Sequence, residues 1–235
     1  MMKKIQQIML SITLLSYVMS QAIAQEKVDT ITLKKGEVFD ILLLSRYPNT
    51  ETDVKSYFET ASPVARRMSY QPLPGWYNIT KYTQGNHGPE KLILAKWDNM
   101  ATREAFLDHI LNEVEDFHER RRKIWSYFGL RYYEMEEDIS FEIHRDQFQV
   151  ATAFWLEAGE LSSDFYEKWL AEISSSGGQI LIELSEGKSP FGYQYDPEYF
   201  VISSWENKNA FDAFQVKMKQ LELDIIQHIN EFILE

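Results

Sequence analysis

The stretch WDNMATREAF occupies residues 97–106, and a similar stretch, WENKNAFDAF, occupies residues 205–214. When residues 89–106 are placed on residues 197–214, six of the eighteen positions are identical, whereas average residue usage predicts about one. The identical pairs are Pro89/Pro197, Glu90/Glu198, Trp97/Trp205, Asn99/Asn207, Ala105/Ala213 and Phe106/Phe214. Because such a period marks a repeated structural unit, the chain is predicted to contain two copies of one fold.

The first part of each copy has the pattern of a strand pair followed by a helix. Residues 31–45, ITLKKGEVFDILLLS, and residues 141–155, FEIHRDQFQVATAFW, share a short apolar run, a polar turn and a longer apolar run. Each is predicted to form a hairpin whose second strand is buried. Helices are expected next, over residues 50–70 and 160–176, and Pro63 is expected to kink or split the first one.

The second part of each copy has the pattern of two strands and a closing helix. The strands are WYNITKY at 76–82 with KLILAKW, and QILIELS at 179–185 with YFVISSW. A long amphipathic helix is predicted to close each copy, because apolar residues recur at helical spacing from Phe106 to Phe128 and from Phe211 to Phe232. LRYYEMEE at 130–137 is a candidate fourth strand, and the second copy is expected to end too soon for an equivalent.

These elements predict an α+β protein made of tandem ferredoxin-like repeats. Such a unit forms an antiparallel sheet with both helices on one face, so its other face needs a cover. A second copy in the same chain is the obvious cover, and the antiparallel sheets are predicted to pack into a dimeric α/β-barrel-like body. The predicted division is residues 25–137 for the N-terminal repeat and 138–235 for the C-terminal repeat.

The residues of the repeated stretch are similar to those of the dimeric α/β-barrel superfamily, and in particular to its antibiotic-biosynthesis-monooxygenase-like domains. Those domains often have Trp at the end of the third strand and His on the following helix. Trp97 with Ala105-Phe106-Leu107-Asp108-His109 resembles this pattern, and Trp205 resembles it too, although Phe replaces the His after it.

The resemblance implies several activities. Members of the superfamily include cofactor-free oxygenases, haem-degrading enzymes, small cyclases and isomerases. The haem-degrading members use an Asn, a Trp and a His; Trp97 and His109 correspond to two of them, but the first strand, FDILLLSRY, contains no Asn. If the chain is a cofactor-independent enzyme, His87 or His109 would accept the proton and Arg46 would stabilise negative charge.

The N-terminal residues 1–24 have the pattern of a cleavable secretory signal. Lys3 and Lys4 precede an apolar stretch that ends in Ala22-Ile23-Ala24, whereas a retained anchor would need about 20 uninterrupted apolar residues. Periplasmic or secreted localisation is therefore predicted. Cleavage of 24 residues from 235 would leave 211, and the loss of two lysines would change the formal charge from −12 to −14.

The composition excludes several classes of partner. The acidic balance argues against nucleic acid and, after signal cleavage, against a membrane surface, since the phosphates of both attract Lys and Arg. The chain has no Cys, which excludes disulfides and thiolate metal sites. His109, Glu113 and Asp116 are expected to form surface ion pairs, so no metal and no cofactor are predicted. Either a monomer or a homodimer is compatible with two fused repeats.

Ligand contacts are predicted at the aromatic residues and the strand ends. Trp97 and Trp205 would meet a ligand lying between sheet and helix, although packing alone would also explain their repetition. Arg46, Tyr47, Trp155 and Glu157 end equivalent strands and would face the mouth of a barrel, although ordinary solvation is the alternative.

Three functions remain open on these observations. The first is an exported protein or accessory factor that binds a small aromatic or carbohydrate-like molecule in an aromatic cleft. The second is a cofactor-independent monooxygenase or isomerase, which requires an ionisable residue inside a cavity. The third is a structural protein of the envelope, which needs no cavity.

Overall fold

The structure is a computed structural model that describes residues 28–85, 88–156, 161–219 and 226–235. In the N-terminal repeat the elements are β1 (Val28–Leu33), β2 (Val38–Arg46), α1 (Glu51–Arg67), β3 (Gln71–Gln84), β4 (Lys91–Trp97), α2 (Met100–Leu111), α3 (Phe117–Ile124) and β5 (Trp125–Glu134). In the C-terminal repeat they are β6 (Ile139–His144), β7 (Phe148–Leu156), α4 (Leu161–Ser175), β8 (Gly178–Ser185), β9 (Tyr199–Trp205), α5 (Lys208–Met218) and β10 (Ile226–Leu234).

Eight strands form one antiparallel sheet in the order β5-β2-β4-β3-β10-β7-β9-β8. Each repeat contributes four strands in the same ferredoxin-like order, and the β3–β10 pair joins the two repeats. The outermost strands are also connected, because Tyr132 of β5 and Lys188, just after β8, exchange backbone hydrogen bonds of 2.9 and 2.8 Å. The sheet therefore closes on itself, which confirms the predicted α+β barrel of two ferredoxin-like repeats.

The end of each repeat differs from the prediction. In the N-terminal repeat the apolar spacing from Phe106 to Phe128 is divided between α2, α3 and the start of β5. In the C-terminal repeat β10 is the missing fourth strand, so the prediction that the chain ends too soon was wrong. Ile229 and Phe232 have helical spacing, but this segment forms a strand because β10 gains hydrogen bonds on both edges from β3 and β7.

The two predicted hairpins do not form. Both edges of β2 are taken by β4 and β5, and both edges of β7 are taken by β9 and β10. β1 and β6 therefore pair with each other as a separate antiparallel ribbon. Its residues Ile31 and Ile143 are fully buried in the barrel core, so the ribbon covers the end of the barrel at which β2 and β7 begin.

Three apolar clusters hold the molecule together. One fills the barrel and combines residues from both repeats, such as Phe39, Ile202 and Phe232. The other two lie outside the barrel, between each half of the sheet and the helices of the same repeat. Strand alternation produces this arrangement, because odd-numbered residues of β2 face the barrel and even-numbered ones face the helices.

The repeated residues perform the same structural task in both copies. Asn99 and Asn207 cap α2 and α5, since their side-chain oxygens accept hydrogen bonds from backbone N–H groups in the first turn. Glu90 accepts a hydrogen bond of 3.2 Å from the backbone N–H of the last residue of β2, and Glu198 accepts one of 3.0 Å from that of the last residue of β7. The sequence repeat is therefore a repeat of turn and cap geometry.

Two further observations concern the helices. Pro63 lies inside α1, which remains one continuous helix. Among the residues that the structure describes, no helix combines the length and the apolar character needed to cross a bilayer.

Candidate functional site

A cleft lies between the helices and the outer sheet face of the N-terminal repeat. The cleft and its open mouth together have an empty volume of about 690 Å³. The inner part alone has a cavity volume of about 80 Å³, measured as the space that the centre of a water molecule can reach. A single water needs roughly 10–15 Å³ by this measure. The main lining residues are Asp40, Tyr57, Phe58, Ala61, Tyr70, Trp97, Arg103, Phe106, Arg121, Trp125 and Phe128.

The inner end of the cleft contains a buried ion pair. Asp40 points from β2 toward the helices, and Arg103 lies in the second turn of α2; their side chains are 4% and 2% exposed. The Arg103 Nε donates to Asp40 Oδ1 at 2.7 Å, and the indole Nε1 of Trp97 donates to Asp40 Oδ2 at 3.0 Å. The guanidinium lies over the ring of Tyr132 at 4.3 Å.

Burial controls the acidity of Asp40. Removal from water raises the pKa of its carboxyl above the ordinary value, although the Arg103 charge and the Trp97 N–H oppose this effect. The carboxyl is therefore more basic than an exposed Asp while it stays within reach of two donors.

A second buried guanidinium, that of Arg121 on α3, lies in the same cleft. It is 4.2 Å from the ring centres of both Phe117 and Phe128, and its Nε donates to Tyr57 Oη at 2.8 Å. Arg121 has no carboxylate partner among the described residues, so the charges of Asp40, Arg103 and Arg121 leave one net positive charge in the cleft.

Both guanidinium groups have buried N–H groups that are not hydrogen-bonded. Arg103 Nη2 and Arg121 Nη1 have no partner among the described residues. An unsatisfied buried donor costs about 1–3 kcal/mol, and more for a charged group. A bound anion would satisfy both donors.

The C-terminal repeat fills the equivalent space. In the strand register Val150 occupies the position of Asp40, and Phe211 follows Trp205 at the distance at which Arg103 follows Trp97. Val150 and Phe211 are both 1% exposed, within an apolar cluster. Since a buried ion pair is often no more stable than apolar residues of similar volume, the fold itself does not require Asp40 and Arg103.

Helix side chains enlarge the difference between the repeats. The sheet-facing side of α1 carries the small residues Ala61 and Ala65, whereas that of α4 carries Phe165, Tyr166 and Trp169. The aromatic residues of α4 pack against Phe154 with ring centres 4.8–6.2 Å apart. The cleft is therefore a property of the N-terminal repeat.

The predicted site residues lie in different places. Trp97 lines the cleft, whereas Trp205 is 1% exposed and its Nε1 donates to Ser203 Oγ at 3.0 Å. Arg46 is exposed and forms an ion pair with Glu51 at 2.9 Å. His109 is also exposed and lies 3.3 Å from Glu113.

The remaining predicted residues lie at the barrel end or outside the described part. Trp155 borders an open depression at the end of β7, and Tyr47 is 46% exposed. His87 and Glu157 lie outside the described residues. The structure thus places Trp97 apart from Arg46, His109 and Tyr47, none of which lines the cleft.

Sequence reasoning missed Asp40, Arg103 and Arg121. The signal was present in the repeat itself, because placing one copy on the other puts Asp40 opposite Val150 and Arg103 opposite Phe211. When one copy has a charged residue at a position that is apolar in the other copy, the charged residue is expected to serve a purpose other than core packing.

Neither a metal nor a porphyrin suits this site. Among the described residues no group of three or more His, Asp or Glu side chains is arranged to hold a metal ion. No His lines the cleft, and its inner volume of about 80 Å³ is roughly half that of the about 150 Å³ cavity that holds one benzene ring. Haem therefore does not fit the cleft.

Comparison with known proteins shows similarity only at the level of the fold. No protein-family model and no curated protein matches the sequence. A mutant chlorite dismutase from Candidatus Nitrospira defluvii matches with a TM-score of 0.52 and 7% identity over 86% of this chain and 93% of that one. The chlorite dismutase of the same organism in complex with imidazole gives 0.51 and 7%, over 86% and 92%. An anthrone oxidase-like protein gives 0.45 and 15%, over 88% and 94%.

The chain therefore has the dimeric α/β-barrel fold, built from ferredoxin-like units. Here two units in one polypeptide make the barrel, and among the described residues the polar cleft beside Trp97 has an apolar counterpart in the C-terminal unit.

Proposed function

We propose that the N-terminal repeat binds a small anionic molecule with one planar ring, such as an aromatic carboxylate or an enolate. The observation that supports this most is the pair of buried guanidinium donors, Arg103 Nη2 and Arg121 Nη1, without partners among the described residues. The excess positive charge favours an anion, and the surrounding rings of Trp97, Phe106 and Trp125 favour a flat apolar body.

The size and shape of the cleft set the orientation of this ligand. The inner space is small, so it takes the charged group, while the ring extends toward the mouth. Phe58 of α1, which lines the cleft and is 36% exposed, lies there.

A thermal-shift experiment on the full chain tests binding. Benzoate and phenylacetate are expected to raise the melting temperature, since ligands that bind only the folded state stabilise it, whereas the neutral benzamide should not. Arg121→Met should abolish the shift because it removes the unpaired charge. Lys123→Met, on the same helix but exposed, is the matched control and should keep it.

The result that would contradict the proposal is equal stabilisation by benzoate and benzamide, or a benzoate shift that survives Arg121→Met.

The raised pKa of Asp40 favours a second candidate, a cofactor-independent oxygenase or isomerase of the antibiotic-biosynthesis-monooxygenase type. In this reaction Asp40 takes a proton from an acidic C–H beside a carbonyl, the C–H electron pair forms an enolate, and the guanidinium N–H groups stabilise the enolate oxygen. The enolate is either reprotonated at another carbon or oxidised by O₂.

Exchange of the C3 hydrogens of phenylpyruvate in D₂O, followed by NMR, tests this step, because this single-ring anion has an acidic C–H beside a carbonyl. The wild-type protein should accelerate exchange and Asp40→Asn should not. If Asp40→Asn exchanges as fast as wild type, Asp40 is not the base; if the wild type binds benzoate but does not accelerate exchange, the cleft binds but does not catalyse.

A further inference from the structure

The barrel has a second depression, at the end opposite the β1–β6 ribbon. The ribbon lies where β2 and β7 begin, whereas this depression lies where β7 ends and β5 and β10 begin. It holds about 360 Å³ and is lined by Tyr127, Trp155, Gln194, Tyr195, Asp196, His228 and Asn230. None of these residues lines the cleft beside Trp97.

We propose that this depression binds one neutral, polyhydroxylated ring, such as a monosaccharide unit. The proposal is independent of the anion-binding function of the N-terminal cleft. It rests on the aromatic surface, the charge balance and the unsatisfied polar atoms of the depression.

The aromatic surface is built around Trp155. The ring of Tyr195 meets it edge-on at 5.4 Å, and the imidazole of His228 lies 5.1 Å away, tilted by 50°. The indole remains partly exposed, so it offers an apolar surface beside polar groups. A sugar ring has matching C–H faces and a polar rim.

The charges of the depression cancel. Asp196 is ion-paired with Arg131, whose guanidinium is otherwise buried beside Tyr133. Gln194 and Asn230 are neutral, and burial holds the pKa of Tyr195 well above its usual value, so its hydroxyl stays protonated. With His228 counted as neutral, the described lining residues therefore carry no net charge that would select an anion or a cation, in contrast to the cleft beside Trp97.

Two polar atoms of the lining lack partners. Tyr195 Oη and Asn230 Oδ1 are buried without a hydrogen bond among the described residues, and the two residues are 4% and 2% exposed. Asn230 Oδ1 requires a donor, whereas the Tyr195 hydroxyl can donate and accept. Hydroxyl groups satisfy both requirements, because each can act as donor and acceptor.

A titration of the full chain with glucose, galactose, mannose and N-acetylglucosamine, followed by tryptophan fluorescence and melting temperature, tests the proposal. At least one sugar is expected to bind with a Kd in the millimolar range, so concentrations should reach about 50 mM. Trp155→Ala should abolish binding. Tyr195→Phe, which removes only the hydroxyl, should weaken it about 3- to 10-fold.

Tyr133→Phe is the matched control. Its hydroxyl is also buried and unpaired among the described residues, but it does not line the depression, so affinity should not change. Benzoate at saturation should not compete with the sugar. The proposal is overturned if no sugar binds, if Tyr195→Phe binds as well as wild type, or if benzoate displaces the sugar.

Discussion

Asp40 and Arg103 are the two side chains that most clearly distinguish the N-terminal repeat from the C-terminal repeat. Both lie in a helix–sheet layer that the C-terminal repeat fills with Val150 and Phe211. The apolar version proves that this layer can be closed without charge. The ion pair, together with Arg121, which has no carboxylate partner among the described residues, is therefore the basis for placing the proposed ligand site in the N-terminal repeat.

Exchanging these side chains gives the first prediction. Asp40→Val alone leaves Arg103 as an unpaired buried charge and should lower the free energy of unfolding by about 3–5 kcal/mol. Asp40→Val with Arg103→Phe removes both charges but also the acceptor of the Trp97 indole N–H, which Ser203 supplies for Trp205, so it should be about 1–3 kcal/mol less stable than wild type and more stable than the single variant. Urea unfolding of both variants measures this. A double variant as unstable as the single one would show that the pair is needed for folding.

Glu231, in the middle of β10, gives a pH-dependent prediction. It is 1% exposed, accepts hydrogen bonds from neutral side chains such as Gln215 at 2.6 Å, and burial raises its pKa to about 7. The folded state therefore holds a proton that the unfolded state loses above about pH 4.5. The stabilisation is complete below that pH and is lost as the pH rises through about 7, for a total of about 3 kcal/mol.

Urea unfolding between about pH 5 and pH 8 checks this expectation. Glu231→Gln cannot ionise, so its curve should be flatter and it should be more stable than wild type at the alkaline end. The exposed Glu115→Gln is the control and should follow the wild-type curve. A Glu231→Gln curve parallel to wild type would rule out this origin of the pH dependence.

Among the elements, the two places where the sheets of the repeats meet, here called seams, differ in strength. β3 and β10 are joined by a ladder of paired residues, whereas β5 meets the segment after β8 through the Tyr132–Lys188 bridge and a bond from Leu130 N–H to the Tyr193 carbonyl. The second seam is therefore expected to open more readily.

Gly187 lies at this weaker seam, and its replacement gives the third prediction. A Cβ there would lie 2.5 Å from Tyr133 Cε1 and 2.7 Å from Arg131 Nε, so Gly187→Ala should push the segment away from β5. Hydrogen exchange of the Tyr132 and Lys188 amides should accelerate, while the Asn78 and Glu235 amides of the other seam should not change. Equal acceleration at both seams would show that the barrel opens as one unit.

The elements also show what the sequence could predict. The repeat of Trp97 in the second copy predicted equivalent strand ends, because the end of a strand depends on local residues. The caps at Asn99 and Asn207 were found only in the structure. β10 was missed because Ile229 and Phe232 have helical spacing, although in the strand they lie on opposite faces of the sheet. The free edges of β3 and β7, which the sequence does not show, decide the outcome. The β1–β6 pairing is also set by which edges remain free.

The candidate site was only partly predictable for a related reason. Trp97 was found because it is repeated, whereas Asp40 and Arg103 are informative because they are not. Arg121 lies in the run HERRRK, which is typical of a solvated helix face. Only the tertiary packing of Phe117, Phe128 and Tyr57 around it shows that this Arg is buried.

At the scale of the whole molecule, one chain supplies both halves of the barrel. Both seams that the structure describes lie within the chain, so the barrel does not need a second copy to close. We expect light scattering during size-exclusion chromatography to give a monomer at micromolar concentration. A stable dimer would instead point to contacts on the helix faces.

We propose that the cleft beside Trp97 binds an anionic ring and that its C-terminal counterpart does not. A crystal soaked with para-bromobenzoate tests this, because anomalous scattering locates the bromine. We expect one bromine peak at the mouth of the N-terminal cleft, with the carboxylate against Arg103 and Arg121. A peak beside Trp205, or none beside Trp97, would contradict it.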